Sequence, residues 1–183
     1  MSDDPLSFDP ELAPRVHSQT YAERPVIDGV ALRSLDRFVD DGGSFLEIAR
    51  LEAGVVQDNQ DFAVRQINYS VLEPGTIKAF HLHKHQSEFW FVPPESRLLV
   101  GLLDARGESS TPRTTMRFVL GDGQARMLFI PRGVAHGVAN LWRSPAPMFY
   151  LTNRQFTPEP DECDELRLPW DTLGAAFWKR ERN

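Results

Sequence analysis

The stretch GTIKAFHLHKHQSEFWFVPPE occupies residues 75–95. Its segment 76–82 mixes β-branched, aromatic and aliphatic side chains behind a Pro-Gly turn, which is a strand pattern. Successive strand side chains point to opposite faces, so His81 and His83 share one face. After a polar break, Glu88 opens a second strand, 88–92, through the aromatic run Phe89, Trp90 and Phe91. Imidazoles gathered on an inward face need partners for their ring nitrogens, so that face lines a polar pocket. His85 falls in the break, and both it and His17 read as ordinary histidines without a role. A second stretch, PRGVAHGVAN at 131–140, supplies His136 between turn-forming Pro131 and Gly133.

Outward from these segments the chain is a succession of short apolar or alternating runs. Strands are predicted at 44–51, 64–72, 97–104, 114–120, 125–130 and 147–152, beside those at 76–82 and 88–92. EPG at 73–75, PPES at 93–96, GDG at 121–123 and PRG at 131–133 mark turns between them. Closely spaced short strands predict an all-β sandwich or closed barrel rather than βαβ units. Leu32, Leu35 and Phe38 recur at helical spacing and predict a helix over 31–40, and a second short helix is expected over 172–180. Residues 1–25 read as an N-terminal arm and 26–183 as a single barrel domain.

Of 183 residues, 41% are hydrophobic and 25% charged, which suits one soluble globular domain. A net charge of −6 argues against a nucleic-acid partner, because phosphate backbones are held by basic surfaces. The acidic start MSDDPLSFDP lacks a basic-then-apolar leader, and no apolar run approaches the roughly 20 residues that span a bilayer. The expectation is a cytoplasmic protein without a membrane partner. Cys163 is the single cysteine, so no internal disulfide forms.

The spacing Gly75, His81, His83, Glu88, then Pro131, Gly133, His136, Asn140, resembles the two motifs of the cupin superfamily, with Glu95 where the first motif ends in glycine. That resemblance implies a cupin, or jelly-roll, β-barrel. In metal-binding cupins the residues matching His81, His83, Glu88 and His136 hold a divalent ion. Such a set suits Fe, Mn, Zn, Ni or Cu.

From residue 26 to 172 the chain resembles, more closely, the dTDP-4-dehydrorhamnose 3,5-epimerase family. Phe45 and Glu47 in DDGGSFLE, QINYS at 66–70, GTIKAFH at 75–81, LLDAR at 102–106, LFIPRGVAHG at 128–137 and Tyr150 in MFYLT carry the likeness, together with PEPDECDELRLPWD at 158–171. The resemblance implies a cofactor-free isomerase acting on a nucleotide-linked 4-keto-6-deoxy sugar. His81 would be the base and Tyr150 the acid. Phe45, Glu47, Gln66, Asn68, Lys78, His83 and His136 would line the nucleotide-sugar cleft. The family is dimeric, which implies a homodimer, with the arm and a strand at 26–32 suited to pairing.

The chain also departs from that family. Gly42 replaces an arginine that helps hold the diphosphate, and Lys78 replaces another. Glu88 falls where the family has the lysine that stabilises the enolate, reversing the charge there. Phe156 replaces a second tyrosine, and the aspartate that orients the family's histidine lies further C-terminal than this chain extends.

Three readings follow: a nucleotide-sugar epimerase, a metal-dependent cupin using His81, His83, Glu88 and His136, or a non-catalytic sugar-binding barrel. Phe89, Trp90 and Phe91 are expected to pack the barrel, and Trp142 and Trp170 to cap its core or pocket mouth. Arg97, Arg106 and Arg132 are solvated residues or replacements for the missing phosphate-binding arginine.

Overall fold

A computed structural model of the protein describes residues 6–19, 24–159 and 161–180. The first strands are Ala31–Ser34 (β1), Arg37–Asp40 (β2) and Gly43–Leu46 (β3), then Leu51–Glu52 (β4), Val55–Val56 (β5) and Asn59–Ala63 (β6). Gln66–Leu72 (β7), Ile77–Leu82 (β8), Glu88–Phe91 (β9) and Arg97–Asp104 (β10) follow. Thr115–Gly121 (β11), Arg126–Ile130 (β12), Val134–Ala139 (β13), Ala146–Thr152 (β14) and Leu166–Arg167 (β15) complete the set. Among the described residues no helix is long and apolar enough to cross a membrane.

Ten strands form two five-stranded sheets, ordered β1-β12-β9-β14-β7 and β11-β10-β13-β8-β15. Facing each other, they make the expected jelly-roll barrel. Between the sheets lies one apolar cluster built on Leu72, Val92, Leu98, Val100, Leu102, Leu128 and Ile130. It fills one end of the barrel and leaves the other open.

The outer faces are covered as well, which explains runs that do not alternate. RLLVGLLD of β10 is buried almost throughout, as a strand with two covered faces must be. Its Leu99 and Leu103 face a cluster under Trp178 and Phe177 of the 3-10 turn Ala175–Trp178. An added Cβ at Gly101 would stand 2.5 Å from Phe177. On the other sheet, Phe89, Phe91 and Met127 pack outward against Val56 and Phe62 of the β4-β5-β6 flap.

The helix expected over 31–40 is instead two strands. Leu32 stands opposite Leu128 in β1–β12 pairing, and Leu35 donates its N–H to Ala125. Pairing with the edge of β12 satisfies these backbone groups, so the three-residue apolar spacing marks no helical face, and Leu32 and Phe38 stay exposed on the strands. At Asp40-Asp41-Gly42 the chain turns, with Asp40 Oδ1 accepting the Gly42 N–H, and β2 and β3 form a hairpin. The strand expected over 26–32 begins only at Ala31. Below it, Ile27 and Val30 are buried in the core. Of the arm, residues 6–19 are exposed, and 1–5 and 20–23 lie outside the described residues.

One polar cluster fastens the closed end. Asp104, whose side chain is fully buried, accepts hydrogen bonds from Arg106, Ser109 and Thr111. Arg106 also donates to the Asp28 carbonyl and so ties the chain leading into β1 to the β10–β11 turn. Burial pushes the Asp104 carboxyl up, but its hydrogen bonds from Arg106, Ser109 and Thr111 outweigh that and hold it well below the usual range. A carboxyl with a folded-state pKa below its unfolded value of about 3.9 adds stability that is present above that value and lost as pH falls. Asp104→Asn should therefore cost roughly 3 kcal/mol at neutral pH and flatten the acid limb of the stability profile below about pH 4, measured by urea denaturation.

Candidate functional site

The open end of the barrel holds a cavity of about 1220 Å³. Alternation along β7 turns Gln66, Asn68, Ser70 and Leu72 inward, and along β14 Met148, Tyr150 and Thr152. From the facing sheet, β8 contributes Lys78, His81 and His83, and β13 contributes His136 and Val138. Lys78 and His81 are three apart yet both line the cavity because of a bulge. His136 pairs with His81 and Val138 with Lys78, so Ala79 and Phe80 stand opposite Gly137 alone.

The loop 161–165 and β15 run back beside β8 and orient two of the imidazoles. His81 Nδ1 donates to Glu165 Oε1 at 2.8 Å, and Arg167 grips the same oxygen at 2.7 Å. His83 Nδ1 donates to the Asp164 carbonyl at 2.9 Å. The Asp164 carboxylate accepts the N–H groups of Lys84, His85 and Gln86, fixing the turn between His83 and Glu88. His136 Nδ1 likewise donates to the Val134 carbonyl at 2.9 Å. With each Nδ1–H engaged, each Nε2 is left for the cavity.

Glu88 is the centre of a buried polar knot. Its Oε1 accepts from Gln86 at 2.7 Å and faces His83 Nε2 at 3.2 Å. Its Oε2 accepts the Trp90 indole N–H and faces His136 Nε2 across 3.8 Å. Burial raises the Glu88 carboxyl, but the His136 and His83 charges and the hydrogen bonds from His83 and Trp90 prevail and lower it to about 2. Burial also depresses His83, and there the Glu88 hydrogen bond and charge prevail, moving it up. For His81 and His136 burial prevails and moves both down, despite Glu165 and Glu88 respectively. Tyr150 is moved up, by burial first and then by the Glu88 and Glu165 charges. The result is an unprotonated imidazole on one sheet and a protonated phenol on the sheet opposite. These states suit proton transfer to and from a carbon held between them.

Of the residues singled out from sequence, His81, Tyr150, Gln66, Asn68, Lys78, His83, His136 and Glu88 all line this cavity. Phe45 and Glu47 do not line the cavity of their own chain. They sit at the β2–β3 hairpin and just beyond it, where Phe45 is 66% exposed and Glu47 pairs with Arg50 over a separate small recess. The hairpin pairs only with itself, so nothing turns those side chains toward this chain's own cavity. The metal quartet also shrinks. The ligand atoms of His83, Glu88 and His136 lie within 4.8 Å of one another, and His81 is outside the group.

Trp90 differs from its neighbours, lining the cavity with its edge against His136. Trp142 lies between Arg97 and Arg180, and neither it nor Trp170 lines the cavity. Arg97 pairs with Asp122 and Arg106 with Asp104, and with Arg132 they stand outside the cavity wall. His85 occupies the turn, as expected, yet reaches the cavity rim.

Sequence reasoning missed Glu165, Asp164, Arg65 and Arg154. The missing orienting aspartate has a substitute inside the chain, Glu165, and the alternating run Glu165-Leu166-Arg167-Leu168 was the signal of the strand that delivers it. VAHGVA of β13 is likewise a fully buried strand that small residues disguised.

A barrel with an unprotonated imidazole and a protonated phenol on facing walls of a polar cavity has the arrangement suited to an isomerase that shifts protons at carbon. Residues 24–174 match the family model for dTDP-4-dehydrorhamnose 3,5-epimerase, and the chain belongs to that family. It is 36% identical to the spore coat polysaccharide biosynthesis protein SpsL of Bacillus subtilis over 157 residues, 85% of this chain and 99% of that one. It is 30% identical to the probable low-salt glycan biosynthesis epimerase Agl13 of Haloferax volcanii over 159 residues, 86% and 97% of the two chains. Among solved structures, a dTDP sugar isomerase from Desulfovibrio desulfuricans superposes with a TM-score of 0.68 at 25% identity, covering 85% of this chain and 91% of that one. The protein is an epimerase-like isomerase of this family.

The bulge carries a prediction. A Cβ on Gly137 would stand 2.3 Å from Ala79 Cβ and 2.9 Å from the Lys78 carbonyl oxygen. Gly137→Ala should push β8 from β13, lowering stability by about 1–3 kcal/mol in urea denaturation and reducing turnover by displacing His81 from His136.

Proposed function

We propose that the protein inverts a carbon beside the ketone of a nucleotide-linked 4-keto-6-deoxy sugar, with His81 as base and Tyr150 as acid. The observation that carries this reading is the His81–Glu165 pair facing Tyr150 across the cavity. His81 Nε2 takes the proton from the carbon next to the ketone, and the C–H electron pair moves into an enolate. Tyr150 returns a proton from its hydroxyl to the opposite face, the enolate collapses to the ketone, and the configuration is inverted. Solvent exchange restores His81 and Tyr150. Glu165 favours the Nδ1–H tautomer and supports the imidazolium as it forms. Enolate charge falls to Lys78 and to His83, which Glu88 shifts toward its protonated form. No cofactor is required for these steps, and dTDP is the nucleotide that the family's description suggests.

A specific observation favours a second reading, a divalent ion at His83, Glu88 and His136. His136 is buried, and its Nε2 meets a carboxylate oxygen across a gap too long for a hydrogen bond. Backbone carbonyls hold both Nδ1–H groups, the outer support that metal-binding histidines have. Two imidazoles and a carboxylate fit Fe, Mn, Zn, Ni or Cu, and a bound ion would polarise the substrate ketone.

A cytoplasmic homodimer completes the proposal. The β2–β3 hairpin exposes Phe38, Val39 and Phe45, and edge strand β7 exposes Ile67, Tyr69 and Val71, an apolar surface suited to a second copy. Sedimentation should give twice the monomer mass for the wild type and a monomer for Tyr69→Lys. A wild-type monomer would remove the homodimer.

The chemistry is tested by deuterium uptake in heavy water beside the ketone of a dTDP-4-keto-6-deoxy sugar. His81→Asn and Tyr150→Phe should lower conversion roughly 10²–10⁴-fold, and Glu165→Gln less than His81→Asn. Uptake unchanged in His81→Asn would end the proposal. Uptake abolished by a chelator and restored by one metal, with that metal present in elemental analysis, would replace the metal-free form by the second reading.

A further inference from the structure

The cavity exceeds the roughly 300–1,000 Å³ of pockets for drug-sized ligands, so it has room for more than a hexose. Lys78 stands toward Leu72 and Ala146, and is the single lysine or arginine among the residues lining that part of the cavity. At the other end two arginines line the cavity, Arg65 just before β7 and Arg154 just after β14. The backbone brings them together. Arg65 donates its N–H to the Thr152 carbonyl at 2.8 Å, and the Thr152 hydroxyl donates to the Arg154 carbonyl at 2.6 Å.

Elsewhere the arginines near acidic groups are occupied. Arg33 pairs with Asp58, Arg37 with Glu95, Arg106 with Asp104 and Arg167 with Glu165. Among the described residues, neither the Arg65 nor the Arg154 guanidinium has a hydrogen bond or an ion pair. Asp161 and Glu162 line the same mouth without pairing to either. Two unpaired guanidinium forks, carried by neighbouring backbone on one cavity wall, suit a diphosphate, whose oxygens accept paired N–H bonds. From there Gln66, bonded to Asn68 at 2.6 Å, leads inward to Tyr150, which stands opposite Asn68 across the β7–β14 ladder.

We propose that Arg65 and Arg154 form the clamp for the diphosphate of a nucleotide-linked substrate, placing the attached sugar inward against His81 and Tyr150. This rests on the nucleotide-sugar reading above. It assigns the phosphate contact to residues that replace the arginine absent at Gly42.

Calorimetric titration with dTDP tests it on the wild type, Arg65→Gln, Arg154→Gln, the double variant and Arg143→Gln, an exposed control outside the cavity. Each clamp variant should weaken dTDP binding about tenfold and the double variant about a hundredfold, as expected for hydrogen bonds to charged groups. Melting temperatures and the Arg143→Gln affinity should match the wild type. A properly folded double variant that holds dTDP within about twofold of the wild type overturns the clamp and leaves the nucleotide reading standing. A wild type that fails to bind dTDP overturns the nucleotide reading and the clamp with it.

Discussion

The site depends on the attachment of 164–167 to the outer side of β8. Without it, the His81 and His83 rings would have no acceptor on Nδ1, and either tautomer would serve. With Glu165 and the Asp164 carbonyl in place, both rings turn Nε2 into the cavity. The Asp164 carboxylate adds a third constraint by holding the turn that leads from His83 to Glu88. The loop that leads into a strand of two residues thus sets the orientation of two imidazoles in a barrel of ten strands.

The same frame explains how a glutamate is tolerated where the family has a cation. Glu88 is almost fully buried, and a bare carboxylate there would be heavily penalised. Donors from Gln86, Trp90 and His83 surround it, so its charge is spent locally and His83 is shifted toward its protonated form. Charge reversal at one position is absorbed by a neighbour five residues earlier. The cavity keeps its polarity and its open volume.

Legibility followed the rules that each residue obeyed. Strand β10 was readable at 97–104 to the residue, because an unbroken apolar run between turn signals has few alternatives. The histidines were readable because spacing along strands is rigid. The segment 31–40 was misread because Leu32, Leu35 and Phe38 fit a helical period while the partners of Leu32 and Leu35, Leu128 and Ala125, lie far along the chain. Phe45 and Glu47 could not be placed from sequence because a hairpin's outward reach depends on what it packs against. Glu165 escaped notice since an acidic loop looks solvated until the ring it touches, 84 residues away, is known.

That separation governs when the molecule becomes competent during synthesis. Contacts between distant parts of a chain form late, and the His81–Glu165 contact is among the most distant here. A ribosome that has released the chain only through β14 has delivered nearly every strand of both sheets and the Asp104 fastening. It has delivered neither the Glu165 carboxylate that holds His81 nor the Asp164 carbonyl that holds His83, nor the Trp178 anchor on β10. Most strands of both sheets can therefore pair before the acceptors that fix the His81 and His83 rings are in place.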